Sequence, residues 1–293
     1  SDLEEQEQKN SGRVVHALDM FEELQKEVTS NPDRYGSALP EIEKQIGNIQ
    51  SEFSQFVTLN SSGDPVEAAE ILDTAENHIV ALKQIVERVP EIVTALQSKL
   101  PDQLDDLESG YRKLLESGYH FTETDIESRF QQLHASLKNN MANVSALELD
   151  NAIYENEQIQ EEIDALYHIF TREIESQKVV KKLVKQLPGY LNHAKENNKN
   201  LAAEVERLGK TFVLNEAFGQ QLKELEAELS SQENVVEDAL KDSSETQKAY
   251  SIVEEELEAI EARLKEIEDE QINLSNSLSK IEKDDANARQ KVN

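Results

Sequence analysis

The 293 residues carry 60 acidic against 30 basic side chains, a formal charge of −30, with 37% hydrophobic residues, 5% aromatics, no Trp and no Cys. Such a charge opposes nucleic acid and anionic lipid as broad partners, because both bind by exchanging cations for Lys and Arg. The missing cysteines exclude disulfides, thiolate metal sites and a cysteine nucleophile.

Only nine Gly and six Pro are available for turns, and no stretch alternates at period two, so the composition predicts a nearly all-helical chain. Regular apolar spacing argues against the disorder that such acidity could otherwise mean. No run reaches the ~18 apolar residues that a membrane span needs, and no signal peptide is visible. The chain opens on Ser1-Asp2-Leu3-Glu4-Glu5, which reads as the inside of an acidic helix, and it closes in another helix. It is therefore expected to be cut from something longer.

The first break in the helical pattern is Asn31-Pro32-Asp33-Arg34-Tyr35-Gly36. The second, Asn60-Ser61-Ser62-Gly63, leads into Asp64-Pro65-Val66-Glu67, a helix start with Asp64 as cap, Pro65 in the first turn and Glu67 closing a capping box. The third surrounds Gly118-Tyr119-His120-Phe121 and is followed by Thr124-Asp125-Ile126-Glu127, again with capping-box spacing. A fourth lies at Leu147-Glu148-Leu149-Asp150, a fifth at Phe212-Val213-Leu214-Asn215, and a sixth at Asp242-Ser243-Ser244-Glu245. Helix starts near Gly36, Thr124 and Asn215 are about 90 residues apart, and those at Asp64, Asp150 and Asp242 keep nearly the same period.

Between breaks, segments of about 25 residues alternate with segments of about 55 to 65. A long segment offers no stop signal, so it is expected to serve as the last helix of one unit and the first of the next. Inside two of them, Ala95-Leu96-Gln97-Ser98-Lys99-Leu100-Pro101-Asp102-Gln103-Leu104 parallels Lys182-Leu183-Val184-Lys185-Gln186-Leu187-Pro188-Gly189-Tyr190-Leu191. An interior proline removes a hydrogen bond and bends a helix, so the pair suggests a shared kink, or else each proline starts a new helix. The organisation is that of an elongated tandem of spectrin-like, antiparallel coiled-coil repeats of three helices sharing long connecting helices, with units expected at 1–92, 93–180 and 181–293.

The closing segment has the cleanest seam: Val253, Leu257, Ile260, Leu264, Ile267, Gln271, Leu274, Leu278 and Ile281 alternate steps of four and three. Gln271, its one polar member, is suited to fixing register. The seam either packs on the preceding helix, where Leu222, Leu225, Leu229, Val236 and Leu240 form a matching stripe, or pairs with a second chain to make a homo-oligomer.

Chemistry is scarce. The six histidines (His16, His78, His120, His134, His168 and His193) never recur at three or four residues, so no helix offers a two-His metal face. No Gly-rich phosphate loop or nucleophile elbow exists. Asn60-Ser61-Ser62-Gly63-Asp64 lacks the bidentate Glu of a calcium loop. Neither a catalytic residue, a cofactor nor a metal is expected. One local anomaly stands out: between Arg172 and Lys199 lie Lys178, Lys181, Lys182, Lys185 and Lys195, against Glu173, Glu175 and Glu196 as acids. Either these lysines meet acidic neighbours on the next bundle helix, or Lys178, Lys181, Lys182 and Lys185 form a docking stripe for an acidic partner.

Several stretches together resemble the EzrA family, the septation ring formation regulators of low-GC Gram-positive bacteria. They are Ile163-Asp164-Ala165-Leu166-Tyr167, Arg172-Glu173-Ile174, Gln186-Leu187-Pro188 and His193-Ala194-Lys195-Glu196-Asn197-Asn198-Lys199. Tyr35-Gly36 ahead of Phe53 and Phe56, Gly63-Asp64 with Ala68, Leu100-Pro101-Asp102-Gln103-Leu104, and Gly110-Tyr111-Arg112 ahead of Gly118-Tyr119 agree with it. The resemblance covers essentially the whole chain; His168 departs from it, standing where the family would place an acid. It implies a single-pass membrane protein on the cytoplasmic face of the cell membrane at the division septum. There the family binds the tubulin-like FtsZ and other division proteins, restrains assembly of the ring, and links it to the membrane and wall-synthesis machinery. The anchor helix and the C-terminal Gln/Asn/Arg-rich patch of that family are absent from this sequence, so it would be an internal cytoplasmic fragment. The rival reading is a purely structural spectrin-like or coiled-coil tether without regulatory action.

Overall fold

The structure is a computed structural model that describes residues 1–241 and 247–292. About 90% of the chain is helical, and no strand occurs among the described residues. Helix α1 spans Asp2–Ser30 and is capped by the Ser1 hydroxyl, which accepts from the Glu4 amide at 3.3 Å. A tight 3-10 segment, Pro32–Ala38, turns the chain into α2, Leu39–Ser61. Glycine is required inside it: Gly36 has φ +48°, and a Cβ there would lie 2.6 Å from the Gln97 amide nitrogen and 2.9 Å from a Val93 methyl.

Helix α3 spans Pro65–Thr94, and Asp64 caps it as expected, accepting from the Glu67 amide at 3.2 Å. The box is only half closed, because the Asp64 amide donates to the Leu59 carbonyl instead of to Glu67. A π turn, Ala95–Lys99, leads into α4, Leu100–Glu116. Helix α5 is Ile126–Ser145, α6 Leu149–Gly209, α7 Glu216–Ala239 and α8 Tyr250–Val292. The Thr124 capping box does not form. Asp125 occupies the cap position, and its side chain makes no capping bond. The Asp242–Glu245 start lies outside the described residues.

The chain divides into two compact units, Ser1–Gly110 with Asp125–Tyr167, and Tyr111–Thr124 with His168–Asn293. In the first, each helix buries one stripe at steps of three and four: Ile42, Ile46, Ile49, Phe53 and Phe56 on α2; Leu72, Ala75, Ile79, Leu82, Val86 and Val89 on α3. Phe21 of α1 meets Phe53 at 5.6 Å between ring centres. Asn10, fully buried on α1, donates to the Pro65 carbonyl at 2.8 Å and to the Asn60 side chain at 3.2 Å. Asn140 of α5 does the same toward the Ala152 carbonyl (3.0 Å) and Asn156 (2.8 Å). Tyr167 donates to Asp106 at 2.8 Å, and burial together with that carboxylate pushes its hydroxyl up to about 12.

In the second unit α6, α7 and α8 share one core. Val180, Leu183, Leu187 and Leu191 face Leu225, Leu229 and Val236, and both rows face Val253, Leu257, Ile260, Leu264 and Ile267. The closing seam thus packs on its own chain, as the matching stripe on α7 suggested. Leu240 does not belong to that stripe: it follows the end of α7 and is 59% exposed. Gln271, 3% exposed, donates to the Ala194 carbonyl at 2.9 Å, and Asn198 donates to the Leu222 carbonyl at 3.0 Å.

Neither Pro101 nor Pro188 starts a new helix. Around both, the buried row takes two consecutive steps of four, Leu96–Leu100–Leu104 and Leu183–Leu187–Leu191, before stepping three to Leu107 and Ala194. At Pro101 a π turn accompanies this spacing, with the Leu100 amide donating to the Ala95 carbonyl. At Pro188 the helix stays α-helical throughout.

Leu257 is fully buried at the centre of the second core. Leu257→Ala should therefore lower stability by about 2–5 kcal/mol in urea titration followed by circular dichroism, whereas Leu240→Ala should change it by less than about 0.5 kcal/mol.

Candidate functional site: a basic face on helix α6

The row Val180, Leu183, Leu187, Leu191 faces the core, so the 3.6-residue period turns Lys178, Lys181, Lys182 and Lys185 outward, and all four are exposed. Lys178 meets Glu175 of its own helix at 3.2 Å. Lys181, Lys182 and Lys185 make no ion pair with a carboxylate of the described residues. The flanking cations differ: Arg172 lies 3.6 Å from Glu255 of α8, and Lys195 pairs with Glu233 of α7. Exposed pairs of this kind contribute little to stability. Residues 178–185 of α6 thus place four lysines on one solvent face, of which Lys178 is paired with Glu175.

The turns of α6 just before this stretch are anchored by buried contacts. Glu173, one of the acids weighed against the lysines, is 3% exposed and does not balance them. Its carboxylate accepts from the Ser251 hydroxyl at 2.5 Å and from the Ser251 amide at 3.2 Å, in the first turn of α8. A helix start carries unpaired amides and partial positive charge, so a carboxylate there is well placed. The sequence signal was available: Glu173 falls in the buried row after Ile163, Leu166 and Phe170.

Beside it, Tyr119 from the segment before α5 donates to the Gln177 side-chain oxygen at 2.8 Å and meets Tyr250 edge-on at 5.0 Å. Burial, followed by Tyr250 and Glu173, raises the Tyr119 hydroxyl above its ordinary value. Tyr111 stacks on Phe170 at 5.6 Å, with Phe121 5.4 Å from both rings. These contacts anchor α6 in the turns just before the lysines, while Val180, Leu183 and Leu187 bury the face behind them.

The histidines are dispersed. His78 lies 2.6 Å from Glu52, His134 pairs with Glu108, and His16, His168 and His193 are exposed. Among the described residues, no group of three or more His, Cys, Asp or Glu is placed to hold a metal. Nor is any described helix long and apolar enough to cross a membrane. Asn60 and Asp64 are spent on Asn10 and on the α3 cap.

Removing the Ser251 hydroxyl leaves a buried carboxylate short of one donor. Ser251→Ala should cost about 1–3 kcal/mol in thermal or urea unfolding, and Ser251→Thr, which keeps the hydroxyl, should recover most of it.

One protein family, described as EzrA: Septation ring formation regulator, matches residues 1–293. Among curated relatives, the septation ring formation regulator EzrA of Streptococcus sanguinis is 73% identical over 292 residues, covering 100% of this chain and 51% of that protein. Those of Streptococcus gordonii and Streptococcus pneumoniae are 62% and 60% identical over 293 residues, with the same coverage. The chain thus spans about half the length of the curated relatives it matches. No solved structure matches it significantly. With a match over every residue and relatives this similar, the chain belongs to the EzrA family.

Proposed function

We propose that this chain is part of the cytoplasmic scaffold of a membrane-anchored cell-division regulator that binds FtsZ, restrains assembly of the FtsZ ring, and links that ring to the membrane and the division machinery. The observation that carries the reading is the match of the whole chain to septation ring formation regulators. The protein works by holding and spacing partners at the division septum, without catalysis. Its three-helix repeats fall at 1–92, 93–180 and 181–293, and membrane attachment comes from a segment outside this sequence.

The face formed by Lys178, Lys181, Lys182 and Lys185 is the docking stripe for an acidic segment of a division partner. Its support is twofold. Three of the four lysines have no carboxylate partner among the described residues, in a chain whose formal charge is −30. The buried row Val180, Leu183 and Leu187 behind the stripe also seats that part of α6 on its core, which lowers the ordering cost of binding.

Purified full-length protein should reduce the amount of FtsZ polymer that sediments; unchanged pelleting would favour the passive tether instead. The triple reversal Lys181→Glu, Lys182→Glu and Lys185→Glu should weaken FtsZ capture by about tenfold or more, with greater loss at low salt. The melting temperature should stay in place, since these side chains support no internal contact. A melting temperature that falls together with capture would return the lysines to a structural role.

A further inference from the structure

The segments that precede the short helices α2, α5 and α7 recur about 90 residues apart, and the first two are each covered by chain that comes later. The segment before α2 buries Tyr35 completely, packs against α5, and brings the Ser37 hydroxyl to 3.4 Å from the Met141 carbonyl near the end of that helix. The segment before α5 buries Tyr119 against Tyr250, at the start of α8, just after the next short helix. In both cases the cover is supplied by the end of the following short helix or by the turn after it.

The third segment, before α7, has no such cover among the described residues. Phe212 and Leu214 rest partly buried on Leu208, Leu222, Leu274 and Leu278, while Val213 between them is 104% exposed. An open groove there mixes apolar Val205, Phe212, Val213 and Leu214 with polar Asn215, Glu216, Gln220 and Lys223. Arg207, near the end of α6, pairs with Glu282 of α8 at 3.2 Å, and α8 continues to Val292, about 15 Å of helix beyond that pair. The curated relatives are about twice as long as this chain.

We infer that Val213 and its groove are the docking surface for residues following Asn293 in the full-length protein, namely the end of the next short helix and the turn after it, presenting an apolar or aromatic side chain. The inference rests on the recurrence of the covered segments and is independent of the division reading. An uncovered apolar tip is the expected state of a surface whose partner lies further along the same chain.

The chain contains no cysteine, so Val213→Cys introduces a single thiol at a position where no packing is lost. Its alkylation rate is compared in this 293-residue chain and in the full-length protein with any other cysteine replaced by serine. The thiol should react freely in the shorter chain and at least about tenfold more slowly in the longer one, as burial behind even ~1.4 kcal/mol of local opening would give. Val213→Asp should lower the melting temperature of the longer protein only. Equal alkylation rates would overturn the inference. So would protection in the shorter chain that grows with concentration, because a second copy would then be the occupant.

Discussion

Each helix of this protein has one stripe of buried side chains at steps of three and four, and the rest of the structure follows from where that stripe points. Because a helix that buries one stripe leaves a wide solvent face, a 37% hydrophobic fraction is sufficient and the remaining positions can be charged. The stripe alone does not select one alignment, because sliding a helix by a heptad would restore most apolar contacts. Buried polar side chains supply the selection. Asn10, Asn140, Asn198 and Gln271 each donate to one carbonyl on a facing helix, and any other register would leave that amide unsatisfied in an apolar layer.

The same stripe explains why the lysines of α6 and the carboxylate of Glu173 have opposite fates within a few residues. Glu173 lies on the row that turns inward and finds the start of α8; Lys178, Lys181, Lys182 and Lys185 lie on the row that turns outward and meet water. A count of charges along the sequence treats them as neighbours that offset each other. The helical period separates them, and the exposed face is more basic than the count suggests.

Much of the fold was legible because its signals are local. The breaks near Gly36, Gly63 and Gly118 fall where positive φ values are needed, and the Val253–Leu278 seam follows from spacing alone. Where reading failed, the deciding interaction lay elsewhere in space. Thr124 has the spacing of a capping box, yet Asp125 takes the cap position while the segment before it docks Tyr119 and Phe121 onto α6 and α8. Leu240 continues the apolar spacing of α7 but falls after the helix has ended. The two prolines were readable either as a shared kink in a continuous helix or as helix starts, because an interior proline is costly; helical backbone runs through both, by way of a π turn ahead of Pro101. Of the candidate site, the lysines were legible from composition, whereas Glu173 and the aromatic contacts just before them needed the topology.

The amide-to-carbonyl locks also bear on how such bundles respond to tension. A purely apolar interface between parallel rods can creep, each leucine slipping from one hollow to the next at little cost. An interface pinned by Gln271 on Ala194 and by Asn198 on Leu222 has no half-way position that keeps its bonds. Pulled along the helix axes, it would hold its alignment up to a threshold and then give way abruptly.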